Sequence, residues 1–566
     1  MISGTFSKHR TRTVHCLDAI WDFVFLGDVG VPQPLFDWPK PDRLPVPSAF
    51  DAFPSYVGKR GVGLYRRMVQ VNPGTSGRIF FGAVSIWCRV YVDGVQLAEH
   101  GDGYSGFWVE VPESAATRRE LTVLVDNRFD RVRSPLHEPY FDFYQYGGIL
   151  RTVEWHEVSA QHVQSVRVSS VEGVEGQVRI SAELAGHDGS TATVGVGFDG
   201  RPESAHQVAV VKGHVELLAN VPDAHQWNVH DPFLHVLRLT YEADDMCVRF
   251  GLRTVATEGG HILINGEPVK LLGYCRHESH PQFGPALPLA QLVADLQLLR
   301  DLGCNFIRGT HYPQDQRFLD LCDELGFLVW EETLGWQQDS RHFTDPAYAR
   351  AHREAVDAMV SLSVNHPCII MWGFLNEGES SNPASRSLYE NTVAQLRSLD
   401  PTRLVSYASH LPTVDLNFDL VDVIGVNTYP GWYGDLDDTD PLELIRPAIE
   451  AILRSLAERG LAKPILLSEI GAEALPGWHD PHDGFWTEEY QAQYLRIVCD
   501  MVVGDDRLAG VALWQFHDIR TYQGMRAVKR PRAFNNKGTL DEYRRPKRAY
   551  RVVRDAFGNG HTEGRS

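Results

Sequence analysis

Ile369-Ile370-Met371-Trp372-Gly373-Phe374-Leu375-Asn376-Glu377 is a run of apolar residues of strand length that ends abruptly in an amide and a carboxylate. A strand buried on both faces reads as a continuous hydrophobic run, and polar groups placed just after it stand where chemistry is done in parallel β/α folds. Working outward from this stretch, seven further runs of the same kind occur after about residue 256: Lys270–Tyr274, Asn305–Arg308, Phe327–Glu331, Leu404–Ser409, Val423–Asn427, Ile465–Glu469 and Val511–Phe516. Amphipathic helical patterns fall between them at Leu289–Leu302, Phe318–Leu325, Ala347–Ser363, Ser385–Ser398, Leu442–Arg459 and Thr487–Val503. Eight strand–helix units in about 300 residues predict a (β/α)8 TIM barrel, whose active site lies at the C-terminal ends of its strands.

Those ends are rich in polar residues. They carry Arg276-His277-Glu278, Arg308 with His311-Tyr312, Glu331-Glu332, Asn376-Glu377, Ser409-His410, Asn427 with Tyr429, Glu469, and Gln515 with His517-Asp518. Retaining glycoside hydrolysis needs two carboxyl groups about 5 to 5.5 Å apart, one to attack the anomeric carbon and one to protonate the leaving oxygen. Glu377 and Glu469 end the fourth and seventh predicted strands, which approach across a small barrel mouth, and Asn376 is suited to a sugar 2-hydroxyl. Glu331 and Glu332 compete for the same role, but the motif in front of Glu377 favours the first pair. His277 with His280 lacks a third ligand at useful spacing, so no metal and no cofactor is expected.

The chain before the barrel reads as β structure. Arg78–Phe81, Trp87–Val92 and Leu121–Val125 are short, rich in β-branched and aromatic residues, and separated by turn signals such as Asp93-Gly94. Val166–Val168, Gln177–Ala182, Thr193–Phe198 and Leu234–Tyr241 follow at the spacing of an immunoglobulin-like sandwich, expected to serve as a spacer.

Bulk properties agree with a folded chain of several domains. Of 566 residues, 43% are hydrophobic and 22% charged, and the net charge of −19 is the opposite of what a nucleic-acid binder needs. No window of 18 apolar residues occurs, so no membrane partner is expected, and the polar, basic start at residues 1–12 lacks the apolar core of a signal peptide. Eight scattered cysteines without a CxxC pair suggest reduced thiols and a cytoplasmic location. A homo-oligomer is left open.

Two long segments carry a family resemblance. Asn305-Phe306-Ile307-Arg308-Gly309-Thr310-His311-Tyr312-Pro313, continued by Asp323-Glu324-Leu325-Gly326-Phe327, resembles one signature of the family-2 glycoside hydrolases, and residues 365–377, Asn-His-Pro through Asn-Glu, resemble the other. The likeness reaches Gly101–Phe107 and Tyr140–Arg151, which resemble the family's N-terminal sugar-binding sandwich. It implies a multidomain chain: a jelly-roll-like sandwich over 1–158, an immunoglobulin-like sandwich over 159–255 and a catalytic TIM barrel over 256–566. It further implies that Glu377 is the acid/base and Glu469, in Ser468-Glu469-Ile470-Gly471, the nucleophile.

Within the family, Asn427-Thr428-Tyr429-Pro430-Gly431-Trp432-Tyr433 and Asn535-Asn536-Lys537-Gly538 look most like the β-glucuronidases. The resemblance implies that Tyr429 hydrogen-bonds the nucleophile, that Tyr433 belongs to the same segment of the site, and that Asn535 and Lys537 grip the sugar carboxylate, with Arg526 as a second cation. Asp142 and His277 would hold sugar hydroxyls and Trp514 would lie under the ring. The chemistry is consistent, because a cation with an amide donor suits a C6 carboxylate and not a neutral hydroxymethyl group. The substrate is then a small-molecule or oligosaccharide β-glucuronide cleaved at its terminal residue, with a β-galacturonide or β-galactoside as the alternative. A carbohydrate-binding protein that has lost catalysis is disfavoured by the retention of both carboxylates.

Overall fold

The computed structural model describes residues 5–30, 40–433, 440–522 and 530–563. Its first part is a sandwich of a six-stranded and a four-stranded antiparallel sheet. Alternate residues of the strands face inward, so that Trp21, Phe23, Tyr65, Ile79, Phe81, Val90, Val123 and Trp155 form one buried core. Arg118–Asp126 pairs along its whole length with Val62–Gln70, and the predicted run Leu121–Val125 is its centre.

A second, separate core lies between a three-stranded sheet (His162–Ser170, Gln177–Ala185, His214–Asn220) and a four-stranded one (Ser204–Ala209, Thr191–Phe198, His235–Tyr241, Asp244–Phe250). Period-two burial is clear in Gln177–Ala185, where Val178, Ile180, Ala182 and Leu184 are buried. This unit is fastened to the barrel by polar contacts. Asn365 closes two hydrogen bonds of 2.8 and 2.9 Å with the backbone of Val166 and Val168, and the Trp227 indole donates to the Asp323 carbonyl at 2.8 Å.

The remaining chain closes a barrel of eight parallel strands: Leu271–Arg276, Phe306–Gly309, Leu328–Glu332, Ile369–Asn376, Leu404–Ser409, Ile424–Asn427, Ile465–Ile470 and Leu508–Leu513. Every residue of these strands is buried, which is why each reads as an unbroken apolar run. The intervening helices begin where the sequence supplies caps. Asp315 accepts from the Arg317 amide ahead of Gln316–Leu325, Asp345 from Ala347 ahead of Pro346–Ser363, and Thr487 from Tyr490 ahead of Glu488–Gly504. Each such cap contributes about 1 kcal/mol.

Seven of the eight predicted strands agree with the observed ones to within about two residues at either end. The eighth is shifted: it was expected at Val511–Phe516 and runs over Leu508–Leu513. Gly510 explains the earlier start. It pairs with Leu271 at φ 154°, and an added Cβ there would lie 2.0 Å from the Leu271 carbonyl oxygen, so only glycine lets the two strands close the barrel. After Leu513 the chain leaves the ladder, and the Gln515 amide donates to the Lys537 carbonyl at 3.1 Å.

The sandwich is built into the barrel mouth. Phe141 and Phe143 belong to the barrel's apolar core, and Tyr104 stacks on Tyr312 at 4.0 Å. Arg151, buried, joins the Tyr104 carbonyl at 2.8 Å to the Glu278 carboxylate at 2.9 Å. Among the described residues no helix is long and apolar enough to cross a membrane.

Candidate active site

A cavity of about 740 Å³ opens at the C-terminal ends of the barrel strands, lined by Glu377 and Glu469 together. The fourth and seventh strands deliver the two carboxylates, and the holding of each differs.

Glu469 is 3% exposed and receives a donor on each oxygen: Arg308 Nη1 at 2.9 Å on Oε1 and the Tyr429 hydroxyl at 2.7 Å on Oε2. Arg308 projects from the second strand into the barrel interior, where its remaining donors reach Glu332 at 2.7 Å, the Ser468 carbonyl at 2.9 Å and Asn376 Oδ1 at 2.8 Å. One guanidinium thus fixes the nucleophile candidate, the amide beside the acid/base candidate and a third carboxylate at once. Burial pushes Glu469 up to about 8; Glu377 acts in the same direction, and Arg308 and Tyr429 oppose it. The unliganded pair therefore retains a proton to slightly above neutrality.

Glu377 stands in the left-handed region at φ 53°, just past the end of its strand. Asn427 Nδ2 donates to its Oε1 at 3.1 Å and Gln337 Nε2 to its Oε2 at 3.2 Å. Asn376 Oδ1 is taken by Arg308 and Asn427, while its buried Nδ2 has no protein partner and is left for a ligand oxygen.

A second group of charges lines the same cavity. Lys537 Nζ donates to the Tyr433 hydroxyl at 2.6 Å and to Glu473 at 3.3 Å, and lies 4.6 Å from the Tyr433 ring centre. Arg530 clamps Asp142 through two bonds of 2.6 and 3.0 Å, reaches Tyr433 at 3.2 Å and pairs with Glu473. Burial opposes the charge on Glu473, yet Lys537 and Arg530 hold it below the ordinary carboxylate range.

Of the residues read from the sequence, Asp142, His277, Glu377, Tyr429, Tyr433, Glu469, Trp514 and Lys537 line this one cavity. Asn376 sits behind Glu377. Asn535 is fully buried beside the cavity and turns its amide to Asp142 at 2.9 Å, bracing the wall. Arg526 lies outside the described residues; a guanidinium on this wall belongs to Arg530, four positions on. His277 and His311 are kept neutral by burial, His277 also by its neighbour His311 and His311 by Arg308. His277 Nε2 is buried without a protein partner, as a group awaiting a hydroxyl would be. Trp514 lies nearly parallel to His311 at 5.4 Å, and its carbonyl crowds Gly471, where a Cβ would come within 2.0 Å.

Arg308 and His311 were visible at a strand end without an assigned role. Trp336, Gln337, Asp339 and Glu379 had no signal in the pattern of strands and helices, because the loop 333–339 folds back onto the mouth through a bridge between Trp336 and Asn376. Two clusters of metal-ligating types occur among the described residues, Asp323–His366–Cys368 and His9–Asp244–Asp245, both away from the cavity. Their carboxylates are engaged by His366, the Cys368 amide, Arg12 and the amides of Arg10 and Thr11.

Comparison with known proteins agrees with this architecture. The family description "Glycosyl hydrolases family 2, TIM barrel domain" matches residues 255–560. A β-glucuronidase of Paenibacillus borealis is 28% identical, over 97% of each chain. Among solved structures, a β-galacturonidase from Eisenbergiella tayi superposes with a TM-score of 0.90 at 33% identity, covering 99% of this chain and 98% of that one. A β-glucuronidase from Faecalibacterium prausnitzii superposes with a TM-score of 0.86 at 25% identity, over 98% and 99%. With its closed barrel, its two β-sandwiches and a pair of carboxylates at the barrel mouth, the chain is a glycoside hydrolase and belongs to glycosyl hydrolases family 2.

Proposed function

We propose that this enzyme removes terminal β-D-glucuronic acid residues with retention of anomeric configuration. The observation that carries the reading is the placement of Lys537 and Arg530 on the wall of the cavity that holds Glu377 and Glu469. A uronate differs from a neutral hexose by its carboxylate, and a buried ammonium beside a guanidinium is what that group requires. Lys537 and Arg530 are paired with Glu473, Asp142 and Tyr433, so the incoming carboxylate joins an existing network.

In the proposed reaction Glu469 attacks the anomeric carbon as Glu377 gives its proton to the leaving oxygen, which breaks the glycosidic bond and forms a glycosyl ester. Glu377, now ionised, takes a proton from water, and the hydroxide equivalent opens the ester and restores Glu469. The Asn376 amide is placed to hold the 2-hydroxyl, His277 another hydroxyl, and Trp514 the face of the ring. Apolar cores of their own in the two sandwiches support the division into 1–158, 159–255 and 256–566 as functional units. Cytoplasmic residence is part of the same reading, supported by eight free cysteines.

Chromogenic β-glucuronide, β-galacturonide, β-galactoside and β-mannoside substrates test the proposal. The glucuronide should be turned over fastest, and Lys537→Ala should lower kcat/KM on it by roughly 10- to 150-fold, the worth of a charge-assisted hydrogen bond. Activity on the matching neutral glycoside should hardly change. Equal losses on both, with a lower Tm, would mean that Lys537 is structural and would remove the uronide reading. A β-galacturonide is the second reading. It is favoured by the 33% identity to the Eisenbergiella tayi enzyme, and a higher kcat/KM on the galacturonide would establish it in place of the first.

A further inference from the structure

During retaining hydrolysis the acid/base reaches the leaving oxygen, so the side chains around Glu377 and away from the uronate wall are those that meet the leaving group. Gln337 touches Glu377 directly. Trp336, bridged through its backbone to Asn376, is half-buried, with its ring 6.1 Å from those of both Tyr140 and Phe141. Glu379 and His410 are exposed and line the same cavity. Asp339 is occupied as the cap of Ser340–Phe343 and as the partner of Arg341. Among the described residues, the only lysine and arginine lining the cavity are Lys537 and Arg530, on the uronate wall. The cavity of about 740 Å³ also exceeds what one pyranose needs.

We infer that Trp336, Gln337, Glu379 and His410 form a subsite for the first unit of the leaving group, and that this subsite takes a neutral, hydroxyl-rich ring such as a second sugar. The inference rests on the uronide reading for the other half of the cavity. An indole face packs against the C–H face of a pyranose, and the Gln337 amide and His410 imidazole offer donors and acceptors to ring hydroxyls. Glu379, two residues from Glu377, adds negative charge where the nearby cation Arg341 is already paired with Asp339 and, among the described residues, Lys537 and Arg530 are the only lysine and arginine in the lining, and so rejects a second uronate or a sulfated sugar.

Four β-uronides that share the glycone and differ in the leaving group decide the matter: a methyl uronide, a 4-nitrophenyl uronide, a disaccharide ending in glucose and a disaccharide ending in a second uronate. For the full chain, kcat/KM on the glucose-linked disaccharide should exceed that on the methyl uronide, and that on the acidic disaccharide, by about 10-fold or more. Trp336→Ala should collapse the first ratio, and Glu379→Gln should raise acidic relative to neutral disaccharide. Ratios near one in the wild type, or ratios that neither variant moves, would overturn the inference. If every uronide is inert while the matching neutral glycosides are cleaved, the uronide reading fails alone. The same leaving-group ratios, measured on those glycosides, then decide the subsite.

Discussion

The two carboxylates proposed as catalytic are held in opposite ways. Glu469 lies inside the barrel wall, with Arg308 and Tyr429 on its oxygens and Arg308 itself anchored to Glu332, Asn376 and the Ser468 carbonyl. Glu377 stands just beyond its strand at positive φ, touched by two neutral amides, one of them on an exposed residue. A nucleophile must be aimed, and fixed donors accomplish this without reorganisation during the reaction. An acid/base must exchange its proton with a leaving group and with water, so a partner that locked its charge would work against it. On the proposed roles, the contrast between rigid cationic support and loose neutral support is a division of labour between the seventh and fourth strands.

Removing the proposed nucleophile is the strongest test of that division. Glu469→Gln should lower kcat by about 10,000-fold or more on every leaving group, since an amide cannot form the glycosyl ester. Near wild-type turnover of an activated aryl glycoside would exclude Glu469 as nucleophile. Glu377→Ala should cost about 100- to 10,000-fold on poor leaving groups and much less on nitrophenyl ones, with azide restoring part of the rate by attacking the intermediate. Uniform losses and no glycosyl azide would erase the difference between the two carboxylates. Arg308→Lys keeps the charge but cannot reproduce four directed contacts, and kcat should fall by about 100- to 1,000-fold with KM little altered. A wild-type kcat in this variant would mean that Glu469 needs no fixed donor.

The smallest effect expected is in pH dependence. Burial first and then Glu377 push Glu469 up to about 8; the two carboxyl groups interact, so the proton lost as pH rises through that value belongs to the pair, and kcat/KM should fall there. A plateau extending to about pH 10 would contradict a shared proton. The same shift has a stability consequence with a definite sign. A carboxyl group whose pKa is raised by folding favours the folded state below its unfolded value of 4.5, and this contribution is lost progressively as pH rises to about 8. The Tm of Glu469→Gln should therefore gain on that of the wild type between pH 5 and pH 8.

Much of this was legible in the sequence because barrel strands are buried on both faces and announce themselves as apolar runs with polar ends. Glu377, Glu469, Asn376, Tyr429 and Trp514 all lie at or near such ends. What was not legible depends on distant parts of the chain meeting. Arg530 and Asp142 are 388 positions apart; the resemblance implied a second cation at Arg526, which lies outside the described residues, and gave no role to Arg530. Trp336 and Gln337 enter the site only because Gln337 takes φ 54° in a loop that pairs with the end of the fourth strand, and no local pattern of hydrophobic residues encodes that turn. The last barrel strand was displaced because its boundary is set by the closing contact between Gly510 and Leu271.

The stretch Tyr140–Phe143 belongs to the sandwich by sequence and to the catalytic cavity by position, with Phe141 and Phe143 packed into the barrel core and Asp142 clamped by Arg530. An isolated barrel would thus keep both carboxylates and Lys537 but lose the wall that Tyr140, Asp142 and Phe143 supply, leaving the sides of His277 and Trp336 that pack on Phe143 and Phe141 open to water. The sandwich could be replaced in the course of evolution only by a module able to send the same short finger across the mouth of its neighbour.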